Sequence, residues 1–125
     1  AWAYADHLLK VTSPETFARQ GAINQHADSV GVQRQLHVHG GVVPDHAKDI
    51  EVYPNMWPGM SLLRPGPGTA LVGSHASVIE RLHEFEALGV DTFILSGNPL
   101  LEEAYHIGET ILPALGVSRP GRDTP

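Results

Sequence analysis

Arg64 opens the run Arg64-Pro65-Gly66-Pro67-Gly68, where glycine and proline are concentrated. A guanidinium carries a planar fork of donors that matches a sulfonate or a phosphate. The glycines let the loop fold over whatever the arginine holds. The competing account is a solvated loop arginine. His37-Val38-His39, with Asp45-His46 downstream, places two imidazoles two positions apart. On a strand such residues share a face, and zinc accepts imidazole ligands. The spacing matches no defined metal motif, so packed or solvated histidines are the better account and no metal is expected. Glu102-Glu103 invite an acid/base reading. Neighbours on a helix point about 100° apart and do not converge, whereas carboxylates in a first turn complement the helix dipole. Tyr53, Met56 and Trp57 suit a substrate pocket or an anchor for the segment that carries them; we favour the anchor.

The elements around these residues follow from spacing and capping. Trp2, Ala5, Leu8 and Leu9 recur with a helical period. Ser13-Pro14-Glu15 reads as a helix start, with Ser13 as the cap, and a second helix through Phe17, Ala18, Ala22 and Ile23 follows. Residues 35–69 are broken by Gly40-Gly41, Pro44, Pro54, Pro58-Gly59 and Pro65 to Gly68. Such a long segment inside a domain is expected to be a lid or a linker; Tyr53, Met56, Trp57 and Met60 argue against a solvated linker. After the apolar lead-in Ala70 to Gly73, either Ser74, or Ser77 with Glu80, starts a helix. Val78, Ile79, Leu82, Phe85 and Leu88 form its apolar stripe, with Glu80, Arg81, Glu84 and Glu86 mostly on other faces. Gly89 fits a left-handed C-terminal position. Thr92-Phe93-Ile94-Leu95 is apolar without alternation, the pattern of a strand buried on both faces of a parallel sheet. Ser96-Gly97 end it, and Asn98 before Pro99 caps a further helix with Leu101, Ala104, Ile107, Gly108 and Ile111 facing inward. Pro113 and Gly116 stop that helix, and residues 118–125 are expected to be a flexible tail.

Composition narrows the function classes. The chain has 125 residues, enough for one small domain, and is 42% hydrophobic. Its formal charge of −6, from 8 Lys+Arg against 14 Asp+Glu, comes with no basic cluster, which disfavours nucleic acid and anionic membrane as partners. No apolar run approaches the ~20 residues of a membrane span, and no segment reads as a signal peptide. The absence of cysteine excludes disulfides and thiol chemistry and suits a cytoplasmic home. Helix, buried strand, helix is an α/β unit. One such strand needs parallel neighbours, so we expect the sheet to be completed by residues outside this chain. The opening Ala1-Trp2-Ala3-Tyr4, which lacks Met, also suggests a fragment, although a processed N-terminus looks the same.

Two stretches carry a family resemblance: Arg64-Pro-Gly-Pro-Gly-Thr-Ala-Leu-Val-Gly73 and Leu88-Gly-Val-Asp-Thr-Phe-Ile-Leu-Ser-Gly-Asn-Pro-Leu-Leu-Glu-Glu-Ala-Tyr105. Asp28-Ser-Val-Gly-Val-Gln-Arg34 and Pro54-Asn-Met-Trp-Pro-Gly59 add to it. In this order and spacing they resemble the C-terminal part of the bacterial luciferase-like flavin-dependent monooxygenases, alkanesulfonate monooxygenase branch, up to about residue 117.

The resemblance implies a C-terminal fragment of a (β/α)8 TIM barrel with a long lid-like insertion. Residues 1–69 would be the insertion with its helices and lid, and residues 70–117 the part that closes the barrel. A whole barrel takes ~250 residues, and its active site lies at the C-terminal ends of the strands. Ser96, Gly97 and Asn98 would then line the cofactor site, and Arg64 would act from the lid, which on closing keeps water from the reaction. The implied activity is that of an oxygenase that takes reduced FMN from a separate NAD(P)H-dependent flavin reductase and uses O2 to convert an alkanesulfonate to aldehyde and sulfite. The family also implies a homo-oligomer. Two positions depart from its pattern: Asn98 replaces a common tyrosine and Leu100 a common histidine. Asparagine has no phenol to donate or ionise, which puts the substrate in question. The alternatives are a related oxidoreductase acting on another sulfur compound or using a deazaflavin, and a truncated product without catalysis.

Overall fold

The computed structural model describes residues 1–66 and 68–117, so the tail from 118 onward lies outside the described residues. The chain divides into two units between Gly73 and Ser74.

The first unit begins with α1 (Trp2–Val11) and α2 (Pro14–His26). Ser13 caps α2 through its hydroxyl, which accepts from the Thr16 amide at 3.2 Å, as its place before Pro14 requires. Helix α3 (Val30–His39) is a correction to the reading of residues 35–69 as one long irregular segment. Its half-buried and buried positions are Val32, Gln35, Leu36 and His39, a helical stripe in which two members are polar. Ser29 caps it, and Gly40 ends it in the left-handed conformation. A 3-10 turn (Ala47–Ile50), strand β1 (Met56–Trp57), the short helix α4 (Met60–Leu63) and strand β2 (Ala70–Leu71) complete the unit. The strands are antiparallel, with Met56 opposite Leu71 and Trp57 opposite Ala70. Ala70 and Leu71 therefore belong to this unit by pairing. Asn55, with φ 69°, turns the chain into β1, and its backbone carbonyl accepts from the Val72 amide at 2.8 Å. Asn55 Nδ2 donates back to the Val72 carbonyl at 3.0 Å.

Its core is built from Ala5, Leu9, Ala47, Trp57, Met60 and Val72, with Trp2, Leu8 and Phe17 packed on the edge. Thus α1 turns inward on the expected residues. Trp57 is 1% exposed, which makes it an anchor for the broken segment, whereas Tyr53 stays on the surface. The helix expected through Phe17, Ala18, Ala22 and Ile23 is α2; Phe17 packs on the core edge, Ala18, Ala22 and Ile23 face outward, and Gln20 and Asn24 are buried.

The second unit contains α5 (His75–Ala87), α6 (Leu100–His106), a π-helical turn (Ile107–Ile111) and the turn α7 (Leu112–Ala114). Of the two candidate caps for α5, it is Ser74 that accepts from the Ser77 amide, at 3.2 Å. Gly89, at φ 95°, closes α5 in a paired motif: its amide bonds to the Glu86 carbonyl and that of Val90 to the Phe85 carbonyl. Leu82 and Ile111 are buried as expected, but Leu88 and Leu101 are exposed. Arg81 is buried rather than outward, with its guanidinium held by Glu80 at 2.8 Å and Glu84 at 3.2 Å.

Residues 92–95 form no strand within the described residues. Thr92, Ile94 and Ser96 are exposed while Phe93 and Leu95 are half-buried, so the segment alternates like a strand with one covered face. Phe93 packs edge-on to Phe85, with ring centroids 6.4 Å apart. A strand is defined by hydrogen bonds to a neighbour, and the described residues place none beside it. Among them, no helix is long and apolar enough to cross a membrane.

Candidate functional site

Arg64 directly follows α4, and its amide donates to the Met60 carbonyl at 3.1 Å. Its backbone is extended, with φ −156° and ψ 158°, which swings the side chain out of the helix. The guanidinium is exposed, and among the described residues it makes only a long 3.4 Å contact, with the Pro65 carbonyl. Among the described residues no carboxylate forms an ion pair with it. The turn is anchored at its base: the Ser61 amide donates to the Gly68 carbonyl at 3.3 Å. Gly68 is buried against Gln35, in a space where a Cβ would strike the Gln35 amide group.

Beneath this turn lies a buried polar network that the apolar patterning does not anticipate. Gln20 Nε2 donates to Asn24 Oδ1 at 2.8 Å, and Asn24 Nδ2 donates to the Ser61 carbonyl at 2.9 Å. His39 Nε2 lies 2.7 Å from Ser61 Oγ, and Ser61 Oγ donates to the Pro58 carbonyl at 2.9 Å. The Gly41 amide donates to His39 Nδ1 at 3.0 Å. That last bond fixes the tautomer: Nδ1 accepts, so Nε2 carries the hydrogen and donates to Ser61. The serine proton is committed to Pro58, and His39 is not a base for it. Ser61 and His39 therefore form a structural pair rather than a nucleophile with its activator. The sequence signal for this network is the Gln20/Asn24 spacing of one helical turn.

Burial pushes the His39 pKa below its ordinary value, and a backbone hydrogen bond offsets part of that shift.

Ser96, Gly97 and Asn98 form a continuous turn in the second unit, whereas Arg64 belongs to the first. Gly97 sits against the first turn of α6, where an added Cβ would overlap Glu103 Cβ. Close backbone approach therefore requires glycine here. Asn98 is not the cap of α6: the capping position is Pro99, whose ring carries no hydrogen-bonding group, and the Asn98–Pro99 peptide is cis. Glu102 and Glu103 fall in the first turn of α6, where they complement the helix dipole.

The histidine pair of positions 37 and 39 does not share a face. Both residues stand on α3, where a two-residue step turns roughly 200°; His39 is buried and His37 exposed. His46 lies 3.9 Å from Asp6 on the surface. No group of three metal-ligating side chains forms among the described residues.

Taken by itself, the Arg64 turn of the first unit has the chemistry to hold an oxyanion. Taken by itself, the Ser96 hydroxyl of the second unit has the chemistry to bond the polar edge of a heterocycle. Glu102 and Glu103 make the Ser96–Asn98 turn unsuitable for the phosphate itself, because like charges close together repel. No protein-family model matches the chain.

Proposed function

We propose that this chain is part of the oxygenase component of a two-component monooxygenase that cleaves alkanesulfonates with reduced FMN and O2. The observation that carries the reading is Arg64: an exposed guanidinium, without a carboxylate partner among the described residues, on a turn anchored at Ser61 and Gly68. A sulfonate presents the oxygens such a fork recognises. When bound, reduced FMN supplies the electrons that activate O2. One oxygen atom ends in the aldehyde and the other in water, while the sulfonate leaves as sulfite. Arg64 binds and orients the anion, and the turn that carries it helps exclude water.

The segment from Thr92 to Gly97 supports a barrel setting. It alternates like a strand, and Ile94 is 96% exposed. Leaving an isoleucine in water forgoes about 1.5–3 kcal/mol, a loss that a neighbouring strand and helix would recover. Asn98 favours a second reading, a related oxidoreductase with another sulfur substrate, because it cannot act as the phenol it replaces.

The test is sulfite release by a protein that contains this chain within a complete barrel. It is supplied with a flavin reductase, FMN, NADH and a panel of alkanesulfonates. We expect Arg64→Ala to lower kcat/KM at least about tenfold. Absence of sulfite with every sulfonate, despite binding of reduced FMN, would refute desulfonation and leave the second reading.

A further inference from the structure

The His39 ring joins three separate parts of the first unit. It ends α3, it receives the Gly41 amide, and it reaches Ser61 in the helix that carries Arg64. Gly40 and Gly41 both adopt left-handed backbone, with φ 63° and 70°. This wraps the chain back so that the Gly41 N–H points at Nδ1. The neutral ring is thus satisfied at both nitrogens, along one directed path from Gly41 N–H through the ring and the Ser61 hydroxyl to the Pro58 carbonyl.

We propose that His39 is a pH-responsive latch that positions the Arg64 turn: neutral, it ties α3 to Ser61, and on taking a second proton it releases the turn. A proton on Nδ1 would set two donors face to face, ring N–H against Gly41 N–H. The ring must then break that bond or rotate away from Ser61. It cannot hold both partners in this geometry, and burial disfavours the cation.

Among the described residues no charged side chain forms an ion pair with the ring. On α2 the charged or titratable residues are Glu15, Arg19 and His26, on α3 Arg34 and His37, on the segment after Gly41 Asp45 and His46, and beyond α4 Arg64; all are exposed. The depressed pKa of His39 stems from burial, opposed by a backbone hydrogen bond, and not from a neighbouring charge. The latch is therefore closed near neutral pH and opens as the pH falls below the ordinary histidine range. This inference goes beyond the proposed activity and stands without it, because its test uses neither flavin nor sulfonate.

The experiment is amide hydrogen exchange by NMR on the 125-residue chain, from about pH 7.5 to about pH 5, corrected for intrinsic exchange. The amides to follow are Gly41, Ser61 and Arg64, with those of α1 as the internal reference. We expect protection at Ser61 and Arg64 to fall by about tenfold or more across the range, with α1 unchanged. His39→Gln, which can still donate to Ser61 but cannot titrate, should abolish the step. Ser61→Ala, which keeps the titrating ring but removes its tie, should do the same at Arg64. The proposal is overturned if the wild-type amides stay protected while His39 protonates, if the loss extends equally to α1, or if the step persists in His39→Gln. The wild-type profile alone decides between the first two outcomes and the expected one.

Discussion

Asn24 donates through Nδ2 to the backbone carbonyl of Ser61 at 2.9 Å, across 37 positions of sequence. With Gln20 behind it, this bond connects the buried face of α2 to the turn that leads to Arg64. A helix face that would ordinarily be apolar is polar because its acceptor is a main-chain carbonyl of α4.

Asn24→Ala removes the partner of both Gln20 and the Ser61 carbonyl, leaving two buried polar groups unsatisfied. We expect a loss of about 1–3 kcal/mol. Trp2 and Trp57 both lie in the first unit. Urea unfolding followed by tryptophan fluorescence therefore reads that unit, and an unchanged midpoint would contradict the role given to the network.

The same probe gives the pH dependence. The pKa of His39 is lowered on folding, so the neutral ring is the form the fold prefers. Its stabilising contribution is present above the ordinary value of 6.5 and is lost as the pH falls through the folded value. The urea midpoint of the first unit should fall on going from about pH 7.5 to about pH 5, and His39→Gln should flatten that slope. A slope of equal size in the variant would assign it to other groups.

Gly97 and Gly108 form a contrasting pair. Gly97 has no room for a Cβ beside Glu103, whereas an added Cβ at Gly108 meets nothing within 4 Å. Gly97→Ala should destabilise the second unit by about 1–3 kcal/mol through overpacking. Gly108→Ala should stabilise it by about 0.5–1 kcal/mol, because glycine is costly within a helix. Thermal unfolding followed by circular dichroism compares the two, and the same sign for both would contradict the close approach at Gly97.

Arg64→Ala should leave the stability of the first unit within about 0.5 kcal/mol, since its guanidinium has no ion-pair partner among the described residues. Arg64→Lys should be equally stable. Lysine lacks the planar fork, so it should restore less than full sulfite release. A large stability loss in either variant would recast Arg64 as a structural residue.

Local rules recover the ends of helices from the chain alone. Ser13 before Pro14, Ser74 before α5 and Gly89 after it depend on hydrogen bonds that span three to five positions. The apolar stripe of α1 was legible for the same reason. The helix at residues 30–39 was obscured because Gln35 and His39 occupy its inward stripe, where Gln35 packs on Gly68 and His39 bonds Ser61, both far along the chain. For the candidate site, Arg64 in its glycine-rich turn and the Ser96-Gly97-Asn98 turn were visible as residue types. Sequence determined which side chains could bind an anion, where α2 and α5 begin and where α5 ends. Tertiary structure decided which polar residues are buried, through the meeting of Asn24, His39 and Ser61, and that Ile94 lies exposed. Burial and pairing depend on neighbours distant in sequence, and no local period encodes them.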